Sequence, residues 1–330
     1  MVCVVRTPLR VSLFGGGTDY PAYFHRHGGS VIGFAIDKHI YISALRLGAA
    51  ADYRFRLSYS KVETTDSIDA IEHPVVRTLF RHYGWDQPTD LSIQADLPAS
   101  AGLGSSSAFT VSLVNLLSYM KDIPRTRMEL AREAIHVEQV LLQENVGVQD
   151  QLHTCFGGIN RFDLQQDHYR ITPLNITGQG LAVMTDWMVL VYTGIKRRAT
   201  EIVDEQVKNT ATKALDGSLG QMMRLVDEAQ AILEDSEHPD RIPESIAALL
   251  DESWKIKKSL SSGITRSEID DLYTLCLRHG ALGGKLCGAG GGGFLLVVVP
   301  PDKRRSFCEA IGPQRCIHFK IDFSGTVLLR

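Results

Sequence analysis

A glycine and hydroxyl turn, Pro98–Ser107, is the segment of this chain with the clearest chemical meaning. It contains Gly102 and Gly104 and leads directly into the apolar stretch Phe109–Met120. A turn that opens a helix presents unpaired backbone N–H groups and the positive end of the helix dipole, and both favour a bound phosphate. The chain has no Gly-x-x-x-x-Gly-Lys-Ser/Thr sequence, so this phosphate site is not that of a P-loop.

A second glycine cluster, Gly288–Gly293, lies near the end of the chain. Its letters satisfy Gly-x-Gly-x-x-Gly, the pattern that follows a strand and opens a helix in dinucleotide-binding folds. Here a helical pattern precedes the cluster and the apolar run Phe294–Val299 follows it, which disfavours a nicotinamide-dependent oxidoreductase. A tight turn without function is the alternative. Because Lys285 is nearby and a separate phosphate turn exists, we favour a functional loop.

The elements that must position these turns are strands and helices of ordinary length. A strand over Leu9–Phe14 ends at a glycine triplet, and the alternation in Asp90–Asp96 predicts a half-exposed strand that enters the phosphate turn. The helix after the turn is apolar nearly all round, so we expect it to be buried. Thr126, with Glu129 three residues later, forms a capping box that predicts the start of the next helix.

The rest of the chain mixes both kinds of element, which predicts an α+β fold rather than a βαβ alternation. More strand-like sequence covers residues 30–47, and the polar segment Asp163–Arg170 indicates a hairpin or a boundary. We therefore divide the chain into two domains, 1–170 and 171–330. The second contains strand patterns at Trp187–Tyr192, Phe294–Val299 and after Cys316, and helical patterns at Ala199–Lys213, Leu219–Leu233, Pro243–Leu260, Ser267–His279 and Lys303–Ile311.

Composition is that of an ordinary globular enzyme. The chain has 330 residues, of which 44% are apolar and 22% charged, with a net charge of −3. This charge gives no reason to expect nucleic acid or a membrane as partner, so small molecules are the expected ligands. The six cysteines lack any Cys-x-x-Cys pair and are expected to be reduced thiols, and no basic leader or long apolar run is present. We expect a cytoplasmic protein, and whether it forms a homodimer is left open.

Three separated segments together resemble the signature motifs of one enzyme family, the GHMP small-molecule kinases. They are Thr7–Tyr20, Pro98–Ser107 and Leu286–Gly293, in the order and at the separations typical of that family. The resemblance implies a two-domain GHMP kinase fold, with an N-terminal domain of the ribosomal protein S5 domain 2-like type and a ferredoxin-like C-terminal domain. It also implies an active site in the cleft between them, and a phosphoryl transfer that uses ATP and Mg²⁺.

The first motif ends Gly-Gly-Gly-Thr-Asp-Tyr, which resembles the heptose 7-phosphate kinases within that family. The galactokinase-like branch has Glu-His where this chain has Gly16-Gly17, and loss of that pair removes bulk and a negative charge. The resemblance therefore implies a sugar phosphate as the acceptor, phosphorylated on its anomeric O1. An L-fucokinase-like or galactokinase-like sugar 1-kinase, and a non-catalytic sensor of sugar or nucleotide, are the alternatives.

The same resemblance assigns roles at the nucleotide side. Mg²⁺ is expected on the Ser106 hydroxyl and the Glu138 carboxylate, since it prefers a few hard oxygen ligands. Without the family, Ser106 would be interpreted as a helix cap and Glu138 as an exposed helix residue. The residues expected to bind ATP are Pro98, Ala101, Gly102, Leu103, Gly104, Ser105, Ser106 and Ser107.

At the acceptor side, the resemblance implies that Asp150 is the catalytic base and that Arg10 holds it ionised. A surface salt bridge is the alternative for Arg10. An ionised Asp19 can accept two sugar hydroxyls. Lys196 and Arg197 could clamp a sugar phosphate, or form a solvated helix start. The residues expected to bind the sugar phosphate are Gly16, Gly17, Thr18, Asp19, Lys196, Arg197, Gly290 and Gly291.

Overall fold

The computed structural model describes residues 2–48, 50–99, 101–166, 168–195 and 200–329. Up to residue 173 the elements are β1 (Val2–Phe14), α1 (Pro21–His27), β2 (Gly29–Arg46), β3 (Phe55–Ser58), β4 (Val62–Thr65), α2 (Pro74–His82), β5 (Thr89–Ala95), α3 (Ser105–Met120), α4 (Arg127–His136), α5 (Gln149–Phe156), β6 (Ile159–Leu164) and β7 (Tyr169–Pro173). Beyond it they are α6 (Gly178–Trp187), β8 (Met188–Tyr192), α7 (Thr200–Ala211), α8 (Asp216–Leu233), α9 (Ile242–Lys258), α10 (Ser267–Arg278), β9 (Gly283–Leu286), β10 (Phe294–Val298), α11 (Arg304–Ile311), β11 (Cys316–Ile317) and β12 (Val327–Leu329).

The first sheet is built on β1 and β2, which pair antiparallel over almost their whole length. Its strands lie in the order β12-β1-β2-β5-β3-β4, while β6 and β7 extend it from the first part of β2. The register of β1 against β2 shifts after Pro8, a residue that has no N–H to donate to the ladder. Arg10 follows this shift and lies on the part of β1 that faces the core.

The second sheet is antiparallel, in the order β11-β8-β10-β9. Its strands are connected by helices α7 to α10 between β8 and β9, and by α11 between β10 and β11. This is the strand order of a ferredoxin-like split βαβ arrangement. The ferredoxin-like domain expected in the second half is therefore present.

Two helix predictions in the first half are confirmed. Most of α3 is buried, as its uniformly apolar composition requires. In α4, Thr126 is the N-cap: its side chain accepts from the Glu129 N–H, and the Glu129 carboxylate accepts from the Thr126 N–H at 2.7 Å. Asp163 and Arg170, the ends of the polar segment, pair with each other in the β6–β7 hairpin, one of the two structures that its composition indicated.

One expectation about the second glycine cluster is wrong. A strand, β9, immediately precedes the cluster, whereas the sequence indicated a helical pattern there. Gly283 and Gly284 hide the strand signal because glycine disfavours strands in isolation, but pairing with β10 imposes an extended backbone on them. The cluster is thus a loop between two antiparallel neighbours, and no helix follows it.

The two halves are joined through a shared core. The larger hydrophobic cluster includes Phe14 and Leu113 from the first half and Val226, Ile246 and Phe294 from the second. The last strand, β12, returns to pair with β1. The domain boundary near residue 170 stays a prediction. Within the described part of the chain, no helix has both the length and the apolar character needed to cross a membrane.

Candidate active site

Arg10 on β1 and Asp150 on α5 form a bidentate ion pair. Arg10 Nε donates to Asp150 Oδ1 at 2.7 Å, and Nη2 donates to Oδ2 at 2.6 Å. The remaining nitrogen, Nη1, donates to the Gly102 carbonyl in the phosphate turn at 2.8 Å. Burial by itself lowers the pKa of Arg10, but the charge of Asp150 and their hydrogen bonds outweigh this and raise it. Arg10 is thus a permanent cation that fixes Asp150 beside the turn.

Asp19, in the first glycine-rich motif, lies buried close to this ion pair. Its Oδ1 accepts a hydrogen bond from Gly17 N at 2.9 Å, and its Oδ2 lies 3.5 Å from Gln149 N. Burial and the negative charge of Asp150 raise the pKa of Asp19. A Cβ at Gly147 would lie 1.9 Å from Asp19 Oδ2, so only glycine fits there. Two carboxylates and a guanidinium therefore lie close enough to influence each other's pKa, a set suited to hydroxyl recognition.

The first turn of α5 sends three consecutive side chains to different parts of the site. Gln149 lies beside Asp19, Asp150 binds Arg10, and Gln151 donates to Glu138. Successive residues of a helix point about 100° apart, as 3.6 residues make a turn, so one turn can serve several neighbours. The motifs did not single out Gln149 or Gln151; the only sequence signal was their position on either side of Asp150.

Glu138 lies in a π-helical turn, Val137–Leu141, that continues from α4. Only 1% of the residue is exposed, so the alternative of an exposed helix position is wrong. Its Oε2 accepts from Ser107 Oγ at 3.0 Å and from Gln151 Nε2, whereas its Oε1 has no partner among the described residues. Burial raises the pKa of Glu138 to about 7, against hydrogen bonds that lower it.

The environment of Glu138 fits a bound cation. A buried carboxylate oxygen without a donor is unfavourable unless a positive charge neutralises it, and Oε1 is such an atom. Ser106, the other expected Mg²⁺ ligand, is exposed at the start of α3. The hydroxyl that contacts Glu138 belongs to the next residue, Ser107. The assignment of Ser106 to the metal therefore stays a prediction.

Within the phosphate turn, Gly104 is the N-cap of α3, and no side chain caps the helix there. Ser105 is half-buried and Ser106 is exposed, whereas Ala101 and Leu103, earlier in the same turn, are buried. The first N–H groups of a helix without a side-chain cap need partners from elsewhere. The start of α3 therefore retains the anion-binding capacity that the sequence indicated.

The two glycine motifs pack backbone against backbone. A Cβ at Gly102 would lie 2.6 Å from the Cys287 carbonyl, and one at Gly288 would lie 2.5 Å from Gly102 Cα. Similarly, a Cβ at Gly293 would lie 2.3 Å from the Ala101 carbonyl. Such contacts exclude any side chain, which explains why glycines recur in both motifs.

Two buried lysines support the second glycine loop, and only Lys285 was noted from the sequence, for its position near the cluster. Lys257 on α9 donates to the carbonyls of Leu286 and Gly288. Lys285 on β9 donates to the Leu13 carbonyl at 2.7 Å. Burial and the charge of Lys285 lower the pKa of Lys257 to about 7, and burial lowers that of Lys285 to about 8 despite the nearby Cys287. These buried amino groups tie the loop to α9 and β1.

Other expected sugar-binding residues differ in their availability. The Thr18 hydroxyl is fully buried and donates to the carbonyls of Gly15 and Ser30, so its role in the structure is to hold the motif. Gly291 N already donates to the Ile264 carbonyl at 2.8 Å, and Gly290 packs on the same residue. Gly16 and Gly17 lie beside the Asp19 pocket. Lys196 and Arg197 lie outside the described residues.

Comparison with known proteins agrees with this geometry. The family models for the GHMP kinase N-terminal domain and C-terminal domain match residues 70–158 and 213–318, together more than half of the chain. A D-glycero-alpha-D-manno-heptose 7-phosphate kinase of Campylobacter jejuni is 26% identical over 97% of this chain and 96% of its own length. A galactokinase of Thermotoga petrophila is 23% identical over 87% of this chain and 86% of its own length.

Solved structures share the whole fold. The crystal structure of a D-glycero-D-manno-heptose 1-phosphate kinase from Bacteroides thetaiotaomicron superposes with a TM-score of 0.79 at 21% identity, covering 100% of this chain and 99% of the other. The matched models, the two-domain fold and the arrangement of the three motifs lead to one conclusion: the chain belongs to the GHMP kinase family and is, like the curated relatives above, an ATP-dependent sugar kinase.

Proposed function

We propose that this kinase phosphorylates the anomeric O1 of D-glycero-D-manno-heptose 7-phosphate to give the 1,7-bisphosphate, a precursor of nucleotide-activated heptose for surface polysaccharides. The observation that carries the proposal is Asp150, clamped by Arg10 beside both the buried Asp19 and the phosphate turn. The relative that is named for this substrate and aligns over almost the whole chain supports the choice of sugar. Gly16 and Gly17 support it further, because these two residues add neither bulk nor charge to the acceptor site.

On the acceptor side, Asp150 accepts a hydrogen bond from the O1 hydroxyl and takes its proton as the new bond forms. A carboxylate is a weak base, but in a loose transition state the proton moves late, so orientation matters more than basicity. Arg10 supplies that orientation through its bidentate contact. Asp19 accepts hydrogen bonds from other sugar hydroxyls and so places O1 next to Asp150.

On the donor side, the uncapped start of α3 and the turn before it hold the phosphates of ATP. Glu138 and Ser106 are the residues that would hold Mg²⁺, with Ser107 and Gln151 orienting the carboxylate. When bound, Mg²⁺ neutralises charge on the β- and γ-phosphates. The O1–Pγ bond forms while the bond from Pγ to the bridging oxygen breaks, and ADP leaves with that electron pair.

A coupled ADP-release assay with heptose 7-phosphate, ATP and MgCl₂ tests the proposal. We expect saturable turnover, and phosphorus NMR of the product should show a new phosphate on C1 in addition to that on C7. Turnover with galactose or L-fucose but not with heptose 7-phosphate would assign the chain to another sugar 1-kinase. ATP binding without turnover of any of these sugars would favour a sensor.

A second phosphate on any position other than C1 would contradict the assignment of O1. This distinction is worth measuring because the two heptose kinases compared above carry different phosphate positions in their names. NMR coupling between the anomeric proton and phosphorus reports the position directly.

A further inference from the structure

We propose that the Gln149 carboxamide, together with the Ser12 hydroxyl, binds a hydroxyl group of the sugar acceptor beside Asp19 and so contributes to the choice of sugar. The inference rests on the proposed function for the presence of a sugar in this pocket. It does not depend on which sugar is bound.

The first observation is an unsatisfied buried atom. Gln149 is only 9% exposed, yet its Oε1 has no hydrogen-bond partner among the described residues. Buried amide oxygens in native proteins are almost always hydrogen-bonded, so an exception calls for a missing donor. A sugar hydroxyl is such a donor.

The second observation is the space next to the nitrogen of the same carboxamide. A Cβ at Gly16 would lie 3.6 Å from Ser12 Oγ and 3.7 Å from Gln149 Nε2. Both are ordinary van der Waals distances, so the missing side chain of Gly16 leaves room for a small group in contact with the two polar side chains. Ser12 is buried and Gly16 is half-buried, so this room lies within the protein and not on its outer surface.

The third observation is the neighbourhood of Gln149. Its backbone N–H lies 3.5 Å from Asp19 Oδ2, and the next residue is Asp150. A hydrogen bond from the Gln149 side chain also acts to lower the pKa of Asp19, against the burial that raises it. The Gln149 carboxamide thus lies near Asp19, and its carbonyl oxygen, which has no partner among the described residues, is the acceptor left for a ligand.

The chemistry of the two groups is complementary. Asp19 as a carboxylate can only accept hydrogen bonds, whereas a carboxamide and a hydroxyl can both donate and accept. A pocket that combines them can bind a hydroxyl that donates to one group and accepts from another. A site built in this way discriminates against an analogue that lacks the hydroxyl, because its own buried polar groups then stay unpaired.

The test compares Gln149→Met and Gln149→Leu with the wild type, on the sugar that the wild type phosphorylates and on monodeoxy analogues of it. Both variants keep the volume of the side chain and remove its carbonyl. We expect kcat/KM for the parent sugar to fall about 10- to 100-fold, mainly through KM, with KM for ATP unchanged. One deoxy analogue should lose activity with the wild type, while the variants should no longer distinguish it from the parent sugar.

Gln87→Leu, at an exposed glutamine in the loop before β5, is the control and should behave as the wild type. An unchanged KM for ATP shows that a variant is folded. If Gln149→Met retains both the sugar KM and the discrimination among the deoxy analogues, the inference is wrong, even if heptose 7-phosphate is the substrate. If the wild type phosphorylates a different sugar, the proposed function fails, while the same comparison still tests Gln149 on that sugar.

Discussion

Asp150 and Glu138, the carboxylates at the two ends of the site, have opposite surroundings. The Asp150 side chain is 25% exposed and is held by two hydrogen bonds from a buried guanidinium. Glu138 is 1% exposed, and the side chains around it that lower its pKa, Thr110, Ser107 and Gln151, are all neutral. Its pKa accordingly rises to about 7.

We infer from this difference that the two carboxylates, although they are the same functional group, have different roles. Arg10 supplies the countercharge of Asp150 from within the fold, so Asp150 is oriented before any ligand binds. We propose that the countercharge of Glu138 comes from a cation that arrives with the nucleotide. In this proposal, the acceptor end of the site is organised in advance, and the metal end is completed by its ligand.

The strongest test of the acceptor end is Asp150→Asn. It keeps the shape of the side chain but removes the base, so we expect kcat to fall about 10³-fold, within the range for general bases. KM for ATP should change little. The matched control is Asp69→Asn, which alters an exposed ion pair with Arg81. If coupled ADP-release rates of Asp150→Asn equal those of the wild type, Asp150 is not the base.

A second test displaces the carboxylate of Asp19 without substituting Asp19 itself. Gly147→Ala places a Cβ where Asp19 Oδ2 now lies, at 1.9 Å, so the carboxylate must shift. A displacement of this size can reduce the rate about 10²-fold, and we expect the effect in kcat/KM for the sugar. Gly178→Ala, at a glycine with open space around its Cβ position, is the control. Equal sugar kinetics for the two variants would show that the position of Asp19 is unimportant.

At Glu138, the proposed metal ligand, we expect a substitution to lower activity but to raise the stability of the protein without ligands. The folded-state pKa of Glu138 lies near 7, above its ordinary value of 4.5. The stability contributed by its proton is therefore complete below pH 4.5 and is lost as the pH rises through about 7. Glu138→Gln removes this dependence. Without nucleotide and Mg²⁺, we expect the variant to be more stable than the wild type at pH 8, by about 3 kcal/mol at most.

Urea unfolding at pH 5 and pH 8 measures this difference, and an Mg²⁺ titration of the kinase rate measures the activity lost by the same variant. Asp69→Asn should show neither effect. A wild-type protein whose unfolding free energy changes no more with pH than that of Glu138→Gln would refute the view that Glu138 awaits an external cation.

The smallest effect is expected at Lys257, the buried lysine that supports the second glycine loop. Lys257→Met removes the donor to the carbonyls of Leu286 and Gly288 but keeps the length of the side chain. We expect KM for ATP to rise about 3- to 10-fold, as for the loss of one net hydrogen bond. Lys255→Met, at an exposed lysine on the same helix, is the control. No difference between these two variants would leave the loop independent of Lys257.

Much of the fold and part of the site could be predicted from short stretches of sequence. The buried helix α3 and the capping box at Thr126 were predicted where they occur, because apolar periodicity and capping depend on neighbouring residues. Strand β9 was missed, because its glycines become extended only by pairing with β10. The environments of Glu138 and Gln149 were missed as well, because burial is a property of the assembled core.

Local sequence was therefore sufficient for the motifs, for most of the elements next to them and for the family to which the chain belongs. The family resemblance predicted that Arg10 meets Asp150, whereas only the tertiary structure showed that Glu138 meets Ser107 and that the two glycine motifs pack against each other. These pairs lie far apart in the sequence, and their electrostatics depend on how completely the fold removes them from water. The burial of these groups from water cannot be deduced from a pattern along the chain. The raised pKa of Glu138 and the unpaired oxygen of Gln149 are therefore evident only in the folded molecule.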